Sequence, residues 1–193
     1  MLPSDVQVAL TVLGRRDRSK EEPSQRLDLS HTNLQNADLK GGEYSNASFS
    51  GANLRGADAQ NAHLRNADFT RSRLDGSTLA NADAAGGNFD RAFAVDANFH
   101  SARLDSARFS GSCSRRASFY QSQLRKAVFE GGVALQHANF IEATIDGAEF
   151  EFANVDSATF DRTQAHGTNL LGTINLSPDQ RRGLLRDSRT RMP

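Results

Sequence analysis

The chain has 193 residues, 37% of them hydrophobic and 24% charged, and its 23 basic side chains are balanced by 23 acidic ones. Zero net charge excludes an overall field that would draw it to nucleic acid or to an anionic membrane, and the single Cys113 excludes an internal disulfide framework and any multi-cysteine zinc site. No apolar run approaches the length of a membrane span, and the opening MLPSDVQVALTVLGRR carries its basic residues after the apolar stretch, the reverse of a secretory signal, so the expectation is a cytoplasmic protein without membrane contact.

Residues 1–25 read as an N-terminal capping helix and linker. Val6, Ala9, Leu10 and Leu13 recur at i, i+3, i+4 and i+7, with Ser4 or Asp5 as N-cap and Gly14 as the stop.

From 26 to 176 the pattern changes. Counting from Leu29, every fifth residue is apolar with few exceptions, through Leu34, Leu39, Tyr44, Phe49 and onward to Phe129. At GGVALQ, residues 131–136, one extra residue enters, and the count resumes at Leu135 and runs to Leu170, for 29 centres in all. Two residues before most centres stands a small side chain, usually alanine, and between the two is often Asn or Asp. A period of five fits neither the 3.6 of a helix nor the 2 of a strand. It fits a chain that turns a corner every five residues, with the centre and the small residue inward and the other three outward.

Residues 177–193 read as a C-terminal helix and basic tail. Ser177, Pro178 and Gln180 form a capping-box start, Leu184 with Leu185 supplies the apolar side, and Arg181, Arg182, Arg186, Arg189 and Arg191 follow.

The recurring unit, as in GANLRGADAQNAHLRNADFT, resembles the A(D/N)Lxx motif of pentapeptide repeat proteins. The resemblance covers residues 27–176 and is closest in feel to bacterial, specifically actinobacterial, members. It implies an all-β solenoid, a right-handed quadrilateral β-helix with four repeats per coil. Some seven coils, at about 4.8 Å each, then make a rod roughly 34 Å long, which short helices at both ends would close. Four repeats per coil can be checked independently, since residues twenty apart should then stack. Every fourth centre gives a structural core column of Phe49, Phe69, Phe89, Phe109, Phe129 and Phe150, and two steps away stand Phe99, Phe119, Phe140 and Phe160. Ten of the twelve phenylalanines thus occupy two opposing faces, and smaller residues such as Ala84, Ala94 and Ser114 lie between them.

No glycine-rich phosphate loop, helical metal pair or nucleophile elbow is present, so no catalytic, cofactor-binding or metal residue is assigned and no enzyme is expected. The Asn and Asp residues before the centres are expected to bond backbone at each corner. Charge is segregated along the chain, with Arg103, Arg108, Arg115, Arg116, Arg125 and Lys126 close together, then seven acids from Glu130 to Asp161. On the coil, Glu130, Asp146, Glu151, Asp156 and Asp161 form an acidic collar around one level. Outward-facing Tyr120, Ile141, Phe93 and Phe152 are candidate partner contacts, with Tyr120 and Ile141 stacked and His100 below them.

The expected function is a non-catalytic scaffold that binds a protein partner through its outer faces. The resemblance implies an alternative, a DNA-mimicking modulator of type II topoisomerase such as DNA gyrase, of the quinolone-resistance type. It also implies dimerisation through the C-terminal end in several members, which leaves a homodimer open here.

Overall fold

In the computed structural model, which describes residues 3–15 and 26–193, the repeat turns its corner as the period of five requires. The amide of each small residue reaches back to the carbonyl of the preceding centre, as in Ala37 N to Leu34 O at 3.0 Å and Ala67 N to Leu64 O at 3.0 Å. The third residue of each such turn has left-handed backbone: Asn36, Asn46, Asn61, Asn66 and Asn81 all lie near φ +60°, and glycine takes the place at Gly51, Gly56 and Gly111. Glycine adopts that conformation without a steric cost, and asparagine tolerates it through local hydrogen bonding.

Between corners the chain is straight for three residues and pairs in parallel with the coils below and above. Asp28 bridges Ser48, Ser48 bridges Asp68, and the series continues at intervals of twenty. Four such columns exist, taken here in chain order as sides 1 to 4, beginning at Asp28, Asn33, Asp38 and Glu43. The chain is therefore a four-sided β-helix. The extra residue is absorbed at Gly131 and Gly132, both left-handed; Cys113 then bridges Ala134 at an interval of twenty-one, and pairing resumes in phase.

The lumen is filled from two opposing sides. Phe49, Phe69, Phe89, Phe109, Phe129 and Phe150 stack with ring centroids 4.7–5.0 Å apart. On side 3, Phe99, Phe119, Phe140 and Phe160 stack at 4.8–5.2 Å. The columns meet edge to face, as between Phe109 and Phe119 at 5.6 Å and 88°, the arrangement that the charge distribution of aromatic rings favours.

At the lower end, helix α1, Ser4–Gly14, packs Leu10 into the core. Its side chains and carbonyls stand in for a missing coil. The Gln7 amide donates to Asp38 O and accepts from Asp38 N, at 2.7 and 2.9 Å, and Gly14 O accepts from Glu43 N at 2.8 Å. Tyr44, buried in the lumen, donates its hydroxyl to Leu10 O at 2.9 Å. The N-cap is Pro3, with no side-chain cap bond, rather than Ser4 or Asp5; both of these lie inside the helix. Residues 1–2 and 16–25 of the expected cap and linker lie outside the described residues.

At the upper end the sequence reading needs correcting. Ser177 and Gln180 do make the capping box that opens α2, Pro178–Gly183, but Leu184 and Leu185 are not helical. They form strand β2, Leu184–Leu185, parallel to β1, Thr163–Gln164. The tail continues to Arg191, which bridges Asn169. Gln180 donates to the carbonyls of Val155 and Ala158 at 2.7 and 2.8 Å. The basic tail is wound as one more turn of the coil, because the open edge of the preceding turn offers it backbone partners that solvent would otherwise have to satisfy.

Candidate functional site

The outer surface begins with the corners. Before many of the centres, an Asn or Asp side chain accepts from the amide two residues on, as Asp58 does from Gln60 N at 3.1 Å, Asp68 from Thr70 N at 3.0 Å and Asn98 from His100 N at 3.0 Å. These carboxylates and amides hold the turns. Among the described residues, no three or more His, Cys, Asp or Glu side chains are grouped to hold a metal ion, and no helix is long and apolar enough to cross a membrane.

The basic band of the sequence is not a basic band in space. Arg103 reaches Asp83 at 3.3 Å, Arg108 reaches Asp90 at 2.9 Å, Arg116 reaches Asp96 at 2.6 Å and Arg125 approaches Asp105 at 3.8 Å. Each arginine finds an acid in the coil below, 18 or 20 residues earlier in the chain, a distance at which a linear reading of charge has no force. The hydrogen bond from Arg116 holds the Asp96 carboxyl below its usual range. Arg115 and Lys126 have no ion pair among the described residues.

In the acidic collar, Asp146 accepts from the His166 backbone amide at 2.8 Å and faces His166 Nδ1 at 3.0 Å. Glu130, Glu151, Asp156 and Asp161 have no ion pair among the described residues. Glu130 and Glu151 sit at the corner between sides 1 and 2, Asp156 at the next, Asp161 at the third and Asp146 at the fourth, so the collar rings the rod rather than running down a face.

The four apolar candidates separate into two places. Tyr120 and Ile141 stand at the corner between sides 3 and 4. The Tyr120 ring stacks on His100, centroids 5.1 Å apart and 21° from parallel, and its hydroxyl points to Glu142 Oε2 at 3.4 Å. Glu142 also accepts from Gln121 at 2.8 Å and pairs with Arg162, and these partners hold its carboxyl below the usual range, the Gln121 bond foremost. Both Tyr120 and Ile141 are half-buried.

Phe93 and Phe152 lie diagonally opposite, on side 2 and at the corner leading into it, and are 52% and 55% exposed. A third apolar residue joins them: Ile174, 46% exposed, ends the column Phe93, Cys113, Ala134, Asn154, Ile174. The sequence reading missed Ile174 because the count of centres ended at Leu170, one repeat too early to index it. Every large exposed apolar residue between the two terminal segments is therefore on or beside side 2.

Comparison with known proteins agrees with this architecture. A family profile described as pentapeptide repeats matches in eight copies, over residues 47–83 and 132–173. Over those residues the chain carries the repeats of the pentapeptide repeat family. Among solved structures it is similar to a trypsin-treated variant of QnrB1, a plasmid-mediated fluoroquinolone resistance protein, at 17% identity and TM-score 0.72, over 87% of this chain and 89% of that one. It is also similar to HetL from the cyanobacterium Nostoc sp. strain PCC 7120, a pentapeptide repeat protein involved in heterocyst differentiation regulation. There the identity is 21% and the TM-score 0.54, over 79% of this chain and 78% of that one. At these identities the likeness is one of fold. No curated protein matches the chain by sequence.

Proposed function

We propose that the chain is a non-catalytic scaffold, a rod closed at both ends by its terminal segments, which holds a protein partner against its outer surface. The observation that carries this reading is the Tyr120 corner. A tyrosine ring held on His100, with Ile141 one coil above and Glu142 fixing the hydroxyl, is a rigid amphipathic contact of the kind that anchors protein interfaces. The lumen, by contrast, is packed with phenylalanine and alanine and offers no room for a substrate. The double variant Tyr120→Ser, Ile141→Lys is expected to keep its fold by circular dichroism and to lose a partner captured by the parent chain from host extract; undiminished capture would overturn the assignment.

A second reading is favoured by the likeness to QnrB1: modulation of a type II topoisomerase by mimicry of duplex DNA. DNA presents charge continuously along its axis, whereas the acids here ring one level and many others are paired with arginine. A gyrase supercoiling assay with added protein separates the readings, and inhibition, or protection against a quinolone, would favour the mimic.

A further inference from the structure

We propose that side 2 is a self-association surface, on which a second copy of this chain docks antiparallel about a twofold axis through the level of Ala134. The ladder fixes the spacing, because Phe93, Cys113, Ala134, Asn154 and Ile174 are bridged in succession. At about 4.8 Å per coil, the column from Phe93 to Ile174 is roughly 19 Å long. An axis lying in the face at Ala134 and perpendicular to the rod brings each level onto its mirror level in the other copy. Phe93, two coils below the axis, meets Ile174, two coils above it, and the contact occurs twice.

At the corner between sides 2 and 3 the charges obey the same symmetry. Arg115 stands one coil below the axis and Asp156 one coil above, in the column next to the bridged one, with Gln136 between them; their carbonyls accept in turn from Asp96, His137 and Arg116 along that column. Neither side chain has an ion pair among the described residues. Arg115 bonds only the Gln136 amide at 3.3 Å, and Asp156 only the Ser157 hydroxyl at 3.3 Å. The two are separated by two coils within one copy, and the twofold places each opposite the other in the partner.

Shape follows too. Phe152 projects at the corner despite a left-handed φ of 60°, a conformation a bulky aromatic seldom adopts, and its ring lies over Gly172. Its mirror level is Gly111, which has no side chain and lies beside the Arg91 stem, so the ring enters an open place next to a cation. On the axis itself are Ala134 and the Gly131–Gly132 corner, small enough for the two faces to approach, and Glu130, which meets its own copy there and sets one like-charge contact against the two Arg115–Asp156 pairs. A self-complementary patch of this kind is what a twofold interface requires. The strip is narrower than the roughly 800 Å² per partner of a standard interface, so the dimer is a reversible one.

The proposal stands apart from partner capture at the Tyr120 corner, on the diagonally opposite edge of the coil. Sedimentation equilibrium of the full chain, from micromolar to near-millimolar concentration, should show a monomer–dimer equilibrium. Arg115→Glu alone, or Asp156→Arg alone, should weaken it about tenfold by putting like charges together twice. The double variant Arg115→Glu, Asp156→Arg should restore it to within about threefold of the parent, because the pairs reform with sign exchanged. The Tyr120→Ser, Ile141→Lys variant should dimerise like the parent. A chain that is monomeric throughout, a dimer that the single reversals leave unmoved, as an end-to-end contact would be, or a double variant no better than the singles would each overturn the proposal.

Discussion

The lower and upper halves of the lumen fill the same cross-section in different ways. In the lower coils one phenylalanine column, Phe49 and Phe69, faces Leu39, Ala59 and Leu79. A void of about 10 Å³, bordered by Ala57, Ala59, Leu79 and Phe69 among others, remains there. It is apolar-walled and at the lower limit of what one water needs, so it stays dry. From Phe89 upward, two columns mesh edge to face, and over the first two of these coils the flanking sides shrink to Ala84, Ala94 and Ser114. Leu135 fits beside Phe129 and Phe140 further up, in the coil that the extra residue lengthens. A solenoid core is thus conserved coil by coil as a sum of four side-chain volumes, not position by position.

The largest test of this contrast removes one ring from each half. Phe109→Ala deletes two stacked and two edge-to-face neighbours, whereas Phe69→Ala deletes two stacked ones only. Both should cost about 3–5 kcal/mol in chemical denaturation, with Phe109 the dearer by about 1 kcal/mol; equal losses would show that the edge contacts add nothing. A smaller test makes one substitution in two places. Ala59→Val should be neutral or stabilise by up to about 1 kcal/mol, since part of the added volume enters the void, and Ala94→Val should destabilise by about 1–3 kcal/mol by forcing apart Phe89 and Phe99. The same sign at both sites would remove the distinction between the halves.

The smallest effect is a pH response. The Arg116 bond to Asp96, the Gln121 bond to Glu142 and the bonds that Asp187 accepts from Arg189, Gly167 N and Thr190 hold three upper carboxyls below their ordinary values; at Asp187 they do so against the opposing push of burial. In the lower half only Asp28, bonded by Ser30, is shifted in the same way among the described residues. A carboxyl with a depressed folded value lends stability that is complete above its unfolded value, 3.8 for Asp and 4.5 for Glu, and is lost as the pH falls below it. Amide hydrogen exchange should therefore show the upper coils losing more protection than the lower ones on acidification from pH about 5 to about 3. Uniform loss would mean that these bonds do not discriminate.

The repeat was legible in the sequence because each centre answers to one physical demand, burial in a narrow lumen, and because Phe stacking at intervals of twenty leaves a periodic trace. The left-handed corners leave a trace as well, in the Gly and Asn that often stand two places after a centre, and against them the aromatic Phe152 is an unusual occupant. The final turn was less legible: Leu184 and Leu185 pair with Thr163 and Gln164 through backbone, and backbone pairing has no sequence period once the repeat ends. Surface charge was the least legible, since Arg108 and Asp90 are neighbours only after the coil has closed. Tyr120 and Phe93 both point outward by the repeat rule, yet their placement on opposite edges follows from counting sides.

The ladder itself has a kinetic consequence. Every parallel bridge joins residues 20 to 22 apart, so each turn of the rod closes a loop of the same modest length and pays nearly the same entropy. Nothing in the chain must wait for a distant partner. Assembly can begin at one pair of coils, such as the doubly aromatic ones, and spread outward like a zip fastener, with the two terminal segments closing last and opening first.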